Sequence, residues 1–440
     1  MAEQNPGSNR GIWPAITLGF AAAVTMWTIG FLFHLPGLTI PPPVVAGALI
    51  AALAAWGFIS GRLAGPVVAL GAGFTAGLVC LLILGSLLAN EQADNSLRPG
   101  WPILVVGWLI AAAAVAGIGG FLGARTAHGV RPQRDWHSLF AIVAAASVLP
   151  LIVIGGLVTS YDAGLAVPDW PNSYGANMFL YPLARMTGGI YYEHAHRLFG
   201  SLVGLTTLVF TVYTLLVDRR AVVKAAALAL FVLVVAQGVF GGIRVTNASL
   251  ALAMVHGVTG QLFFAAMCVM AAACTVRWKS SEPRRQGSIP GSPRRLAATL
   301  VCLLVVQLVF GAMLRHLGPV KGAHAMMSHI ANAVIVLVIA IGAGVRGAGA
   351  IPGDGLLRRL GKGTMHAAFT QFILGGAALW AVLVFKDRET PPAVEAAITT
   401  AHQALGALLL AMAAMLAAWS RRLILPRSAP QAPLAAPAAG

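Results

Sequence analysis

Twelve separate apolar stretches, each close to the roughly 20 residues that a helix needs to cross a bilayer, divide this chain of 440 residues. They lie near 14–33, 42–60, 66–89, 101–122, 139–159, 193–217, 222–242, 252–275, 298–314, 326–345, 364–385 and 399–419. A chain so divided reads as an all-α membrane protein with about twelve transmembrane helices. Hydrophobic residues make up 58% of it and charged residues 10%, against roughly a quarter charged in a soluble domain. That balance excludes an ordinary soluble domain, a disordered chain, a disulfide-stapled secreted module and a nucleic-acid binder, despite a net charge of +16.

The positive charge works instead as a topology marker. With the N-terminus in the cytoplasm, 21 Lys and Arg fall in inside segments and seven in outside segments, with Arg197 inside a helix. This bias predicts a multi-pass protein of the bacterial inner membrane with both termini cytoplasmic, its basic loops meeting anionic lipid. The opening MAEQNPGSNRG has neither a signal-peptide nor a transit-peptide pattern, so the first helix is expected to stay. Cys80, Cys268, Cys274 and Cys302 lie singly in apolar runs with no CxxC spacing and read as small core residues.

A short pattern ending in two small residues recurs: Leu151-Ile-Val-Ile-Gly155-Gly156, Gln237-Gly-Val-Phe-Gly241-Gly242, Gln307-Leu-Val-Phe-Gly311-Ala312 and Gln371-Phe-Ile-Leu-Gly375-Gly376. These mark the fifth, seventh, ninth and eleventh spans, while the sixth, eighth, tenth and twelfth carry His196, His256, His329 and His402 near their outer ends. The period is two helices, nested in a parallel repeat of four. The organisation expected is a four-helix extension of unknown role over 1–137, a first bundle over 138–280, a basic cytoplasmic linker over 281–296 and a second bundle over 297–440.

Small-residue pairs let a helix or a flat ligand approach the backbone, and any one pair alone would read as plain helix packing. Recurring beside four histidines, they leave room for a planar macrocycle between axial imidazoles. Intramembrane histidines are costly unless partnered and imidazole suits iron, so each bundle is expected to hold one haem. His34, His128, His137, His316, His324 and His366 read as interfacial residues at helix ends. In the sixth span, Tyr191-Tyr-Glu193-His194-Ala-His196-Arg197, residues Glu193 and His196 share a face and Arg197 lies four on from Glu193. His194 points elsewhere. The second unit has Met326 and Ile330 at the matching places, so only the first bundle keeps a carboxylate beside its haem. A purely structural Glu193/Arg197 pair is the alternative reading.

These residues resemble the haem A synthase family of cytochrome oxidase assembly proteins. The likeness rests on Gly164-Leu-Ala-Val-Pro168-Asp169-Trp170-Pro171, Glu193-x-x-His196-Arg197, Val255-His256-Gly257 with Gln261, and the later pair His329 and His402, spanning about 300 residues. It implies oxidation of a ring methyl of haem O, through the hydroxymethyl, to the formyl group of haem A. His196 and His256 would bracket the substrate, Glu193 would be the catalytic carboxylate with Arg197 in support, and His329 and His402 would ligate a haem b cofactor. Expected partners are the lipid bilayer, an outside electron donor, and haem O synthase or cytochrome oxidase subunit I. A haem capped by two histidines has no open position for oxygen, so oxygenation needs a displaced ligand or oxidation of the macrocycle.

Where many bacterial members carry a cysteine pair in the first outer loop, this chain has Val167 and Ser173, which excludes a thiol-dependent step there. The loop's aromatics are expected to cover the haem edge. The rival readings are a dihaem b-type electron-transfer protein, a transporter or exporter, and a haem carrier without catalysis. Ligands clustered near one face disfavour transmembrane electron transfer, and polarity confined to helix ends disfavours a transporter. Glu193 separates the enzyme from the carrier.

Overall fold

The computed structural model describes residues 12–90, 96–127, 132–285, 292–388 and 390–425. Its helices are α1 (Trp13–Phe33), α2 (Pro42–Ala64), α3 (Pro66–Leu84), α4 (Trp101–Arg125), α5 (Trp136–Ser160), α6 (Gly188–Val217), α7 (Ala221–Thr246), α8 (Leu250–Cys274), the short α9 (Val276–Ser280), α10 (Pro293–Lys321), α11 (Ala323–Ala348), α12 (Gly355–Phe385) and α13 (Ala393–Leu423). Twelve of these are long and apolar enough to cross a membrane, and the chain is a multi-pass all-α membrane protein. Beyond the helices there is a minimal hairpin of β1 (Asn172–Ser173) and β2 (Ala176–Asn177) between α5 and α6.

Local chemistry sets the helix starts. Proline occupies the first turn of α1, α2, α3, α4 and α10, where its missing N–H has no partner to lose. Asp135, Ser249 and Ser292 accept backbone N–H bonds at the starts of α5, α8 and α10. Helices run beyond their apolar cores, furthest in α10, α12 and α13, which extend past the stretches 298–314, 364–385 and 399–419. Hydropathy marks the part that lipid solvates, whereas the hydrogen-bonded helix continues through Arg294, Arg295, Arg358 and Arg359 into polar surroundings.

The residues form two compact units, one made of Met1–Val276 with Leu374–Ala407 and the other of Arg277–Ile373 with Leu408–Gly440. In the first, α5, α6, α7 and α8 close a ring in which each helix packs on its two neighbours. Phe140, Ile154, Phe199, Leu202, Phe210 and Met267 are buried there. Helix α1 runs along α5 and α6 through an aromatic seam: Trp13 stacks on Tyr213 at 3.7 Å, Phe20 meets Phe140 edge-on, Trp27 meets Phe199 edge-on, and Phe31 stacks on Tyr191. The Tyr191 hydroxyl donates to the Phe31 carbonyl at 2.6 Å. In the second unit α10 packs on α11, Gly344 of α11 meets Gly361 of α12 backbone to backbone, and Arg277 pairs with Asp354 at 3.0 Å.

Helices α2 and α4 approach closely because both are lined with glycine. A methyl group on Gly57 would meet the Ala116 backbone, on Gly61 the Gly120 carbonyl, on Gly119 the Ala54 carbonyl and on Gly123 the Phe58 carbonyl. Lipid tails are as apolar as the side chains they would replace, so close van der Waals packing of this kind drives helix association in membranes. Gly61→Ala is therefore expected to destabilise the protein by about 1–3 kcal/mol through overpacking. Gly47→Ala, in open space on the same helix, should be neutral or gain up to about 1 kcal/mol from helix propensity. Thermal unfolding of the two variants in detergent checks the contrast, and equal midpoints would disprove the packing argument.

Candidate functional site

Each of the four recurring glycine–histidine pairs is a direct contact. A Cβ on Gly155 would lie 3.1 Å from Cε1 of His196, on Gly241 3.2 Å from Cε1 of His256, on Gly311 3.1 Å from Cε1 of His329 and on Gly375 3.0 Å from Cε1 of His402. In all four the ring turns its Cε1–Nδ1 edge to the glycine, with Nε2 farther away. Nδ1 of His329 lies 3.2 Å from the Gln307 carbonyl. Since a carbonyl only accepts, Nδ1 carries the proton and Nε2 carries the ring's lone pair. His196 and His256 face the Leu151 and Gln237 carbonyls in the same way, although there the contact falls short of strict hydrogen-bond geometry and both Nδ1 atoms stay buried. Metal-binding histidines are oriented by such a contact on their other nitrogen.

In α5 and α7 the second glycine of the pair serves a different neighbour. Gly156 faces Thr400 of α13, and Gly242 faces the indole of Trp170, where any side chain would overlap the ring. In α10 and α11 the histidine turn is further tied by amides: Gln307 donates to the His329 carbonyl at 3.0 Å, and Asn332 donates to the Gln307 side-chain oxygen at 2.8 Å. The matching Gln237 donates to Thr259, one turn after His256, at 2.5 Å.

Across the first bundle, His196 and His256 oppose each other with ring centroids 6.1 Å apart and planes at 82°. Two metal–nitrogen bonds of about 2 Å, with about 1 Å more from each nitrogen to its ring centre, add up to about 6 Å. Among the described residues no cluster of three or more His, Cys, Asp or Glu could hold a metal ion. A metal between these imidazoles would have to bring its remaining ligands with it, as iron does in a haem. The residues present fit that group.

Glu193 is buried three residues before His196. Its Oε2 accepts from the Val167 N–H at 2.8 Å and its Oε1 from Arg197 at 2.8 Å. Arg197 also donates to the carbonyls of Val167 at 2.9 Å, Asp169 at 2.7 Å and Asn172 at 2.9 Å. One guanidinium thus ties three points of the loop 161–187 to α6, and removing one partner of such a buried pair costs several kcal/mol. The loop is folded in its own right. Tyr174 and Gly175 take φ of 52° and 77°, the turn that a two-residue hairpin requires. The Asp169 carboxylate accepts from both of their N–H groups at 2.7 Å, and the Tyr174 hydroxyl donates to the Ala166 carbonyl.

The structure therefore brings Glu193, His196, Arg197 and His256 together in one unit. His329 and His402 each sit against their own glycine. His194 faces away from the imidazole pair, as its position suggested, with Nδ1 3.1 Å from the Ser173 hydroxyl and its ring beside Tyr181. The interfacial reading of His137 is corrected: it is buried, its Nε2 2.9 Å from the Thr214 hydroxyl and its ring stacked on Phe210. Its neighbours Phe210, Tyr213 and Thr214 all belong to α6. His366 lies well inside α12, because that helix starts at Gly355, and His128 lies outside the described residues. Of the cysteines, Cys80 and Cys274 are buried, but Cys268 is half-buried and Cys302 exposed. An apolar thiol facing lipid needs no protein core.

Sequence reasoning missed Arg244. Its guanidinium fills the space beside Gly164 where a side chain would otherwise stand, and its charge reaches Glu193, His196 and His256. No periodic signal marks it. The tight fit at Gly164 needs the folded loop to be seen.

Fold and site define a helical membrane protein carrying a bis-imidazole site within a four-helix ring. Residues 138–323 match the family model described as cytochrome oxidase assembly protein, COX15-CtaA. The match supports a role in cytochrome oxidase assembly. It contains Glu193, His196, Arg197 and His256, and it ends before His329 and His402. No curated protein matches the chain.

Burial alone would raise the Asp169 carboxyl, but the Gly175 and Tyr174 N–H groups and the Arg197 charge hold it below its usual range. A carboxyl depressed in the folded loop stabilises it above the unfolded value, about pH 4, and that support is lost as pH falls through the lower folded value. Hydrogen-exchange protection of residues 172–177, relative to free amides at the same pH, should stay high from neutral pH to about pH 4 and fall below it. Asp169→Asn should show low protection throughout, and a flat wild-type profile would refute the assignment.

Proposed function

We propose that the chain is a haem A synthase, an oxidoreductase that converts the ring methyl of haem O to the formyl group of haem A for cytochrome oxidase. The observation that carries this reading is the opposed pair His196 and His256 with the buried carboxylate of Glu193 a turn away. The two imidazoles bind the substrate haem through Nε2 and set the tilt of its plane. Gly155 and Gly241 keep side chains away from the rings. Glu193 sits beside the reacting edge, where its carboxylate would stabilise positive charge developing at the methyl carbon. Each hydroxylation would take one oxygen atom from dioxygen, the other leaving as water with two protons and two electrons from the outside donor. Arg197 keeps the carboxylate in place and closes the loop 161–187 over it, shielding the reaction from water. His329 and His402, set against Gly311 and Gly375 in the same manner, would hold haem b, which supplies electron relay when bound.

The Lys and Arg bias of 21 to seven supports an inner-membrane orientation with cytoplasmic termini and the haem sites toward the outer face, where an electron donor docks. Haem O synthase and cytochrome oxidase subunit I are the partners that would deliver the substrate and take the product. The test is expression in a bacterial host that makes haem O but not haem A, followed by chromatography and mass analysis of extracted haems. Wild type should yield haem A or its hydroxymethyl precursor, and Glu193→Ala should yield neither while still binding haem. Haem O left unchanged by wild type, with haem B bound, would make the protein an electron-transfer or haem-carrier protein instead.

A further inference from the structure

Arg244 is a cation placed beside the imidazole pair without a counter-ion. It lies in the last turn of α7, three residues after the glycine that abuts His256. Its guanidinium makes no hydrogen bond or ion pair among the described residues, whose salt bridges join Arg197 to Glu193, Arg220 to Asp218 and Arg277 to Asp354. The anionic side chains within its electrostatic reach are Glu193 and Asp162. Glu193 has both oxygens engaged, by Val167 and Arg197, and Asp162 is exposed. An ionisable residue carried on a membrane-spanning helix marks a functional site by default. The cation is also built in, because Gly164 leaves the space that the guanidinium fills, and its charge reaches both His196 and His256.

We infer that Arg244 receives a carboxylate of the ligand held between His196 and His256. Resting on the haem O reading, this carboxylate is a propionate of the macrocycle, since the other substituents of that ring carry no negative charge. The guanidinium fork suits a carboxylate bidentately. Anchoring one edge of a disc held at its centre by two imidazoles removes its freedom to spin. Arg244 is thus a binding residue that sets which methyl group comes to Glu193.

The test titrates the full-length, detergent-solubilised protein, purified from a host without haem O, with haem O and separately with haem O dimethyl ester. Binding is read from the bis-imidazole absorbance rather than from turnover. Wild type should prefer the free acid. Arg244→Gln should weaken free-acid binding by about 10- to 100-fold and leave ester binding unchanged, and Arg244→Lys should restore part of the preference. Equal weakening of both ligands by Arg244→Gln, or no weakening of either, overturns the assignment. His256→Ala should abolish the bis-imidazole absorbance gained on adding haem O, leaving any contribution of the His329 and His402 pair in place. If wild type itself gives no such spectrum with haem O, the substrate reading fails and Arg244 falls with it. A wild-type spectrum with an indifferent Arg244→Gln removes Arg244 alone.

Discussion

How near one helix backbone can come to an imidazole on the next decides the rest of this structure. A histidine can be held edge-on against a neighbouring helix only where that helix has no side chain, and the contacts of 3.0–3.2 Å that a Cβ would make at Gly155, Gly241, Gly311 and Gly375 leave room for nothing larger. From this follows the orientation of the ring, with its Cε1–Nδ1 edge toward the glycine and Nε2 on the far side. Because the same device is used four times, a single solution to helix packing also defines four candidate ligands.

The first bundle adds a second constraint. Arg197 spends its donors on three loop carbonyls and one carboxylate, so the outer loop and the acidic side chain share one anchor. Neither thiol of a cysteine pair is present at Val167 or Ser173, and hydrogen bonds centred on Arg197 and Asp169 organise the loop in their absence. An ion pair that looks merely structural in isolation therefore ties loop closure to the placement of Glu193.

Much of this is legible in the chain. The twelve spans, the glycine–histidine recurrence and the shared face of Glu193, His196 and Arg197 follow from hydropathy and helical spacing, which are local properties. The burial of His137 is not legible in the sequence because its neighbours Phe210, Tyr213 and Thr214 come from α6, more than seventy residues later in the chain. Arg244 escaped notice for a similar reason, since its setting depends on Gly164 in a loop whose path no periodicity reveals. The helix extensions of α10, α12 and α13 were missed because an apolar stretch reports where lipid lies, whereas a helix ends where its backbone bonds end. The hairpin at 172–177 rests on Tyr174 at positive φ, a place where asparagine or glycine would have announced the turn.

The aromatic seam of α1 bears on how the molecule is made. Phe31 and Tyr191, joined by the Tyr191 hydroxyl, are 160 residues apart. During synthesis α1 enters the bilayer long before α5 and α6 exist, and lipid must cover Trp13, Phe20, Trp27 and Phe31 in the interval. The first unit can lock only once the sixth span has arrived. Until then the helix made first is held by α2 and α3 alone, and any membrane protein offering a matching aromatic face competes for its open seam.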